Sequence, residues 1–182
     1  MKKLFAKLIF LLAGWKVVGG LPHGIRKCVV IVAPHTSQWD FIIGRLAFFV
    51  LGIRVKFLIK QEAFKHIMGP LLKFLGGIPV DRSKPNNMVE QVSDLYNQYE
   101  SLYIVITPEG TRKLVTNWKR GYYYIALRAE VPIALGFLNY QDKHCGIGRI
   151  MIPSGDYESD FEQIEAFYRG QHARHPEKFN LS

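Results

Sequence analysis

Acidic residues and cysteines are both scarce in this chain of 182 residues. Asp and Glu together number 15 against 24 Lys and Arg, which leaves a net charge of +9. A basic excess of this size favours an anionic partner, such as nucleic acid, an anionic membrane surface or a phosphorylated substrate. Composition alone leaves all three partners open.

The chain also lacks the usual signatures of metal and nucleotide sites. Its two cysteines, Cys28 and Cys145, are far apart and fit no metal-ligand spacing. We expect two free thiols in a reducing compartment, with Cys28 buried in an apolar run. The sequence contains no H-E-x-x-H motif and no P-loop, so we predict no bound metal and no cofactor.

The N-terminus lacks an apolar run of membrane-spanning length. Its uninterrupted apolar stretch, residues 8–15, is too short to cross a bilayer, which needs about 20 residues. Lys7 interrupts the pattern and no clear cleavage site follows, which argues against a signal peptide. Residues 1–20 instead predict a basic amphipathic helix in the plane of an anionic membrane surface. The alternative is a helix that packs on the domain core.

Apolar strands and helical segments alternate along residues 21–182. Strands are predicted at 28–33, 54–59, 78–80, 102–106, 131–138 and 147–152. Helices are predicted at 37–50, 61–75 (with a break at Gly69-Pro70), 88–100, 118–129 and 161–169. We therefore predict an α/β fold, a single-domain sandwich with a mostly parallel central sheet flanked by helices, plus the N-terminal amphipathic helix. Ligands of such sheets bind beyond the carboxyl ends of the strands.

The first candidate site is HTSQWD, residues 35–40, directly after the strand at 28–33. Pro34 marks the strand end, and Ser37 with Asp40 has the spacing of a helix capping box. His35 then lies in the turn, where Asp40 can bind one ring nitrogen and leave the other as a general base. Alternatively, Asp40 only caps the helix and His35 is an ordinary loop histidine. A nucleophilic Ser37 is disfavoured, because the glycines of G-x-S-x-G are absent.

Three further polar clusters follow predicted strands and could form an anion site. TPEGTRK, residues 107–113, follows a buried strand, and its glycine allows close backbone approach while Arg112 offers a planar phosphate fork. Its alternative is a solvated turn with a local ion pair of Glu109 and Arg112. GGIPVDRS either places Arg82 at the same sheet edge or leaves Asp81 and Arg82 as a surface ion pair, and Lys60 follows the strand at 54–59. Several cations beside one His-Asp pair describe a general base next to an anion site.

These segments together carry a family resemblance. The pair His35-x4-Asp40 is followed by GGIPVDR ending at Arg82, by PEGTR at 108–112 and by VPI at 131–133. This is the order of the four motifs of the glycerolipid acyltransferases, and the chain resembles their lysophosphatidate (1-acylglycerol-3-phosphate) acyltransferase branch over about residues 28–137.

The resemblance implies a direct acyl transfer. His35 would deprotonate an acceptor hydroxyl, Asp40 would support the imidazolium, and the oxygen would attack an acyl-CoA or acyl-carrier-protein thioester without an acyl-enzyme. The acceptor's phosphate and glycerol would be held by Arg82, Glu109, Gly110, Thr111 and Arg112. It also implies a peripheral or monotopic protein on the cytoplasmic side of the membrane, with residues 1–20 as the membrane helix and 21–182 as the acyltransferase domain.

The motifs depart from the family pattern where the acceptor would be recognised. Pro79 and Val80 occupy the region where a Phe is common, Leu135 replaces the second proline of the fourth motif, and Lys113 replaces a common Ser. A lysophospholipid is the expected acceptor and a lyso-aminolipid is the alternative. The alternative from another functional class is a basic module that binds membranes without catalysis. A nucleic-acid partner is not expected.

Overall fold

The computed structural model describes residues 1–65, 67, 69–81 and 85–181, without the side chains of residues 85–87. The strands in that part of the chain are β1 (Lys16–Gly19), β2 (Lys27–Ala33), β3 (Val55–Lys60), β4 (Gly77–Val80), β5 (Leu102–Ile106), β6 (Ile133–Asn139) and β7 (His144–Met151). The α-helices are α1 (Lys2–Ala13), α2 (Gln38–Leu51), α3 (Gly69–Phe74), α4 (Pro85–Gln98), α5 (Gly121–Arg128) and α6 (Tyr157–Tyr168). Short 3-10 helices cover Gln61–Lys65 and Pro176–Lys178.

Within the described residues, the strands form one seven-stranded sheet in the order β1-β7-β6-β2-β5-β3-β4. The pairs from β6 through β4 are parallel, β7 runs antiparallel to β6, and β1 runs parallel to β7. The predicted mostly parallel α/β sheet is therefore confirmed.

Strand β2 is buried on both faces, as its continuous apolar run predicts. Val29 and Ile31 contribute to a core shared with α4, α5 and α6, whereas Val30 and Val32 contribute to a second core beneath α1 and α2. Helices thus cover both sides of the sheet, and β2 brings its carboxyl end into the centre of the molecule. Cys28 and Cys145 are free thiols and Cys28 is buried, as predicted; Cys145 is buried as well.

The register of the parallel strands determines which loops meet. In the pairing of β2 with β5, Ile31 lies opposite Ile106. The turn that begins at Pro34 therefore leaves the sheet beside the loop that follows β5. This neighbourhood brings the first and second sequence candidates, HTSQWD and TPEGTRK, together at one edge of the sheet.

The N-terminal segment differs from the expectation of one helix over residues 1–20. Helix α1 ends at Ala13, because Gly14 adopts a left-handed conformation with φ of 75° and its N–H caps the helix. Lys16–Gly19 then forms the edge strand β1. Of the helices that the structure describes, none has both the length and the apolar character needed to cross a bilayer.

The other predicted elements agree in type, with their ends displaced by a few residues. The break predicted at Gly69-Pro70 separates the 3-10 helix Gln61–Lys65 from α3. Helix α5 begins at Gly121 rather than at Trp118, because Trp118 is buried against the aromatic side chains of α6 and the C-terminal segment.

Candidate active site

His35 lies in the turn between β2 and α2, at the carboxyl edge of the sheet. Its backbone N–H donates to Glu109 Oε1 at 2.9 Å, which ties this turn to the loop after β5. Its side chain remains 22% exposed and lines a pocket at this edge of the sheet. The imidazole is therefore held at its base and accessible at its tip, as a general base requires.

Asp40 makes the contacts of both alternatives that the sequence left open, the helix cap and the approach to His35. Its Oδ2 accepts the backbone N–H groups of Thr36 at 2.6 Å and Ser37 at 2.7 Å, and Ser37 completes the capping box of α2. The same Oδ2 lies 3.5 Å from His35 Nδ1. The cap therefore fixes the carboxylate that faces the imidazole, and His35 Nε2 is left for a substrate.

The electrostatics of Asp40 favour a permanent negative charge. Burial by itself would raise the pKa of this carboxyl, whose side chain is only 2% exposed. Hydrogen bonds from His35, Tyr140, Ser37 and Thr36 outweigh burial and lower its pKa below the ordinary value. An ionised Asp40 can stabilise the imidazolium that forms when His35 takes a proton.

Glu109 is placed beneath the site rather than at its surface. The residue is 3% exposed, its Oε1 accepts the His35 N–H, and its buried Oε2 has no hydrogen-bond partner among the described residues. Burial raises the pKa of Glu109 to about 7, against the lowering effect of the His35 hydrogen bond. We expected Glu109 to hold the acceptor, but its geometry suits it to holding the His35 turn.

Gly110 allows a cation to lie over the loop after β5. Its φ of 66° belongs to the left-handed region, and an added Cβ would lie 2.8 Å from Lys119 Cε. The backbone N–H of Lys119 donates to the carbonyl of Pro108 at 2.8 Å, which holds the two segments together. Gly110 and Lys119 both line the pocket, whereas Thr111 and Arg112 are exposed beyond it.

The pocket has a volume of about 620 Å³ and crosses the carboxyl ends of β2, β3 and β5. Its polar end contains His35, Asp40, Thr107, Gly110 and Lys119. The remaining lining is mostly apolar or aromatic and comes from both sides of the sheet: Val32, Phe41, Phe48, Phe57, Leu58, Met88, Val105, Ile106, Tyr122 and Ile125. A polar end joined to an apolar chamber suits an amphipathic ligand.

Arg45 is a half-buried cation in the wall of this pocket. Its guanidinium carbon lies 4.7 Å from the ring centre of Phe49 and 5.5 Å from that of Phe57. Burial lowers its pKa, and within the described part of the chain no carboxylate forms an ion pair with it. Arg45 therefore adds positive charge to the pocket beyond that of Lys119.

Two further residues that were predicted for the anion site, Lys60 and Arg82, have different outcomes. Lys60 is exposed at the end of β3 and is not among the pocket-lining residues of the described structure. Arg82 lies outside the described residues, so its predicted role stays a prediction.

Three residues near the site were not among the sequence candidates. Lys119 is one of several cations in this part of the sequence, with Lys113 and Arg120, and charge alone did not single it out. Arg45 interrupts an apolar stripe of α2 formed by Phe41, Gly44 and Phe48, a pattern that could have drawn attention to it. Tyr140, whose hydroxyl donates to Asp40 Oδ1 at 2.6 Å, is 100 residues away in sequence and gave no local signal.

Comparisons with known proteins agree on one family. The family model described as Acyltransferase matches residues 20–134. The chain is 34% identical over 116 residues to human 1-acyl-sn-glycerol-3-phosphate acyltransferase beta, a match that covers 59% of this chain and 40% of that protein. The crystal structure of the 1-acyl-sn-glycerophosphate (LPA) acyltransferase PlsC from Thermotoga maritima has a similar fold, with a TM-score of 0.64 and 18% identity, over 95% of this chain and 80% of that one.

Proposed function

The chain belongs to the acyltransferase family, and from this premise we propose that it transfers a fatty acyl chain from a thioester to the hydroxyl of a lysophospholipid. The observation that carries the proposal is the pairing of His35 Nδ1 with Asp40 Oδ2, at 3.5 Å, at the polar end of an apolar pocket. The curated relative and the structural neighbour, whose names specify acylglycerol-phosphate acyltransferases, support the same reaction type.

In the proposed reaction His35 is the general base. Its Nε2 takes the proton of the acceptor hydroxyl while Nδ1 faces Asp40, and the acceptor oxygen attacks the carbonyl carbon of the thioester. A carbon–oxygen bond forms, the carbon–sulfur bond breaks, and the leaving thiolate takes the proton from the imidazolium. The products are an ester and a free thiol, from acyl-CoA or an acyl-carrier protein. The steps need positioning and proton transfer, so we propose no metal and no cofactor.

The polar groups around the dyad have separate proposed roles. Lys119, at the pocket end beside Gly110, would attract the acceptor's phosphate, with Thr111 and Arg112 completing the site from the exposed loop. Glu109 would hold the His35 turn through its hydrogen bond to the backbone. The apolar part of the pocket would take an acyl chain.

Ser37 is not part of the proposed chemistry. Its Oγ accepts the backbone N–H of Trp39 at 3.2 Å, as the cap of α2. Direct acyl transfer to the acceptor, without an acyl-serine, is therefore the better-supported pathway.

We also propose that α1 lies on a membrane surface. Ala6 and Phe10 are buried against the domain, but Leu4, Phe5, Leu8, Leu11 and Leu12 remain between 53% and 80% exposed. Packing on the core, the alternative considered from the sequence, thus uses only part of the apolar surface of α1. The lysines of the segment and the net charge of +9 suit an anionic lipid surface.

The reaction type can be tested with the purified protein, oleoyl-CoA and detection of free thiol. We expect thiol release when lysophosphatidate is added and little without it, with phosphatidate as the product in mass spectrometry. Thiol release that needs no acceptor and disappears in Ser37→Ala would instead indicate a thioesterase. A lyso-aminolipid in place of lysophosphatidate tests the alternative acceptor, which the pocket cations Arg45 and Lys119 disfavour.

A further inference from the structure

The second oxygen of Asp40 has a partner of its own. Oδ2 faces His35 and the backbone N–H groups of Thr36 and Ser37, whereas Oδ1 accepts a 2.6 Å hydrogen bond from the hydroxyl of Tyr140. A carboxylate held at only one oxygen could still rotate about its Cβ–Cγ bond. With both oxygens bound, its plane is fixed relative to the imidazole.

Tyr140 is itself held on two sides. It directly follows β6, and its backbone N–H donates to the carbonyl of His172 at 2.8 Å. Its ring meets the edge of Trp15 at a centroid distance of 5.1 Å and an interplanar angle of 90°. These contacts come from the end of β6, the C-terminal segment and the connection between α1 and β1, so three parts of the fold direct one hydroxyl at Asp40.

The protonation states suit this donor and this acceptor. Burial, followed by the hydrogen bond and negative charge of Asp40, raises the pKa of Tyr140, and Arg174 opposes the shift only in part. The phenol therefore stays protonated and donates. In return, its hydrogen bond helps to lower the pKa of Asp40. The titratable or charged groups near this pair are His35 and Glu109 beside Asp40, and Arg174 beside Tyr140.

We propose that Tyr140 is a positioning residue of the acyl transfer, forming a Tyr140–Asp40–His35 relay in which the phenol orients the carboxylate that orients the base. The assignment rests on the proposed function. Tyr140 acts through Asp40, so its removal affects the chemical step and leaves substrate binding intact.

The kinetic test compares Tyr140→Phe with Tyr103→Phe. Tyr103 is a matched control because its half-buried hydroxyl also makes one hydrogen bond, to the carbonyl of Ile25 at 2.9 Å, away from the dyad. We expect Tyr140→Phe to lower kcat about tenfold or more relative to Tyr103→Phe, with both KM values within about twofold. Equal kcat in the two variants, or a loss confined to KM, would overturn the proposal.

A second test needs no turnover. NMR of protein labelled with 13C at the aspartate carboxyl carbon follows the titration of Asp40. This measurement tests the relay without depending on acyl transfer. We expect Asp40 to titrate below the ordinary aspartate value in the wild-type protein, and higher in Tyr140→Phe but not in Tyr103→Phe. A wild-type Asp40 that titrates at or above the ordinary value overturns the relay, even if Tyr140→Phe does not fold. If the wild-type protein shows no acyl transfer, the proposed function is refuted. The titration of Asp40 then still tests the relay.

Discussion

Asp40 caps helix α2 and, in the proposed reaction, also supports His35. The spacing of Ser37 and Asp40 predicts a helix cap, and the cap is present. The same carboxylate oxygen that accepts the two capping N–H groups also faces His35 at 3.5 Å. Local helix geometry therefore brings the acid to the histidine, and Tyr140 then binds its second oxygen from across the fold.

The raised pKa of Glu109 predicts that the stability of the protein depends on pH. Burial raises its pKa to about 7 from an ordinary value of 4.5, so the folded protein holds this proton more tightly than the unfolded chain. The stability that this tighter proton binding adds is fully present below the pKa of Glu109 in the unfolded chain. It is lost as pH rises through the pKa of Glu109 in the folded protein. Relative to Glu109→Gln, we expect the wild-type free energy of unfolding to fall by about 2 kcal/mol between about pH 5 and pH 8.

Urea unfolding of both proteins at each pH measures this difference. Glu162→Gln is the control, because it removes the same charge from an exposed position. We expect its stability to follow that of the wild type. Parallel pH profiles for the wild type and Glu109→Gln would contradict the raised pKa of Glu109.

Helix α2 contains a glycine that opens the apolar chamber. Gly44 lines the pocket, and a Cβ built on it meets no atom within 4 Å. Glycine inside a helix costs about 0.5–1 kcal/mol relative to alanine. We expect Gly44→Ala to raise the stability by about this amount, and Gly44→Leu to move acyl-CoA preference towards shorter chains by filling the chamber.

Relative kcat/KM values for acyl-CoA substrates of increasing chain length check the second expectation. Ile42→Phe adds bulk to the same helix at an exposed position, so its chain-length profile should match that of the wild type. An unchanged profile in Gly44→Leu would mean that the acyl chain lies elsewhere.

The secondary structure was predictable where local chemistry determines it. The apolar residues of β2 and the Ser37 cap are local signals, and the structure confirms them. Strand β1 was missed because a four-residue edge strand depends on its pairing with β7, which lies over a hundred residues later in the chain. The same limit applies to Tyr140, whose role is determined by a contact across the fold.

The structure brings the predicted pair His35 and Asp40 together, but it places fewer of the predicted anion-binding residues at the pocket. Polar residues after strands did predict the edge of the sheet at which the pocket lies. The sequence could not show which of these side chains line the pocket. Glu109 is buried and Lys60 is exposed, whereas Arg45 and Lys119 line the pocket. Side-chain direction at a turn follows from tertiary packing, which spacing does not encode.

The protein as a unit combines a basic surface with an apolar helix, and we expect both to act in membrane binding. Leu11→Glu should reduce co-flotation with vesicles of phosphatidylglycerol and phosphatidylcholine, because Leu11 is 77% exposed on α1. Binding should also weaken as salt rises, since the net charge is +9.

Ile152→Glu is the matched control, because Ile152 is 80% exposed but lies after β7. We expect its flotation to equal that of the wild type. Equal flotation of Leu11→Glu and Ile152→Glu would indicate that α1 does not contact lipid.

The central claim is that His35 is the base for acyl transfer to an acceptor. The most direct measurement is the acceptor-dependent rate of thiol release by His35→Ala, compared with the wild type and with His23→Ala, which removes an exposed loop histidine. We predict that His35→Ala stays folded and loses about 10²–10⁴-fold in kcat, while His23→Ala keeps the wild-type rate. A His35→Ala protein that turns over at the wild-type rate would contradict the account.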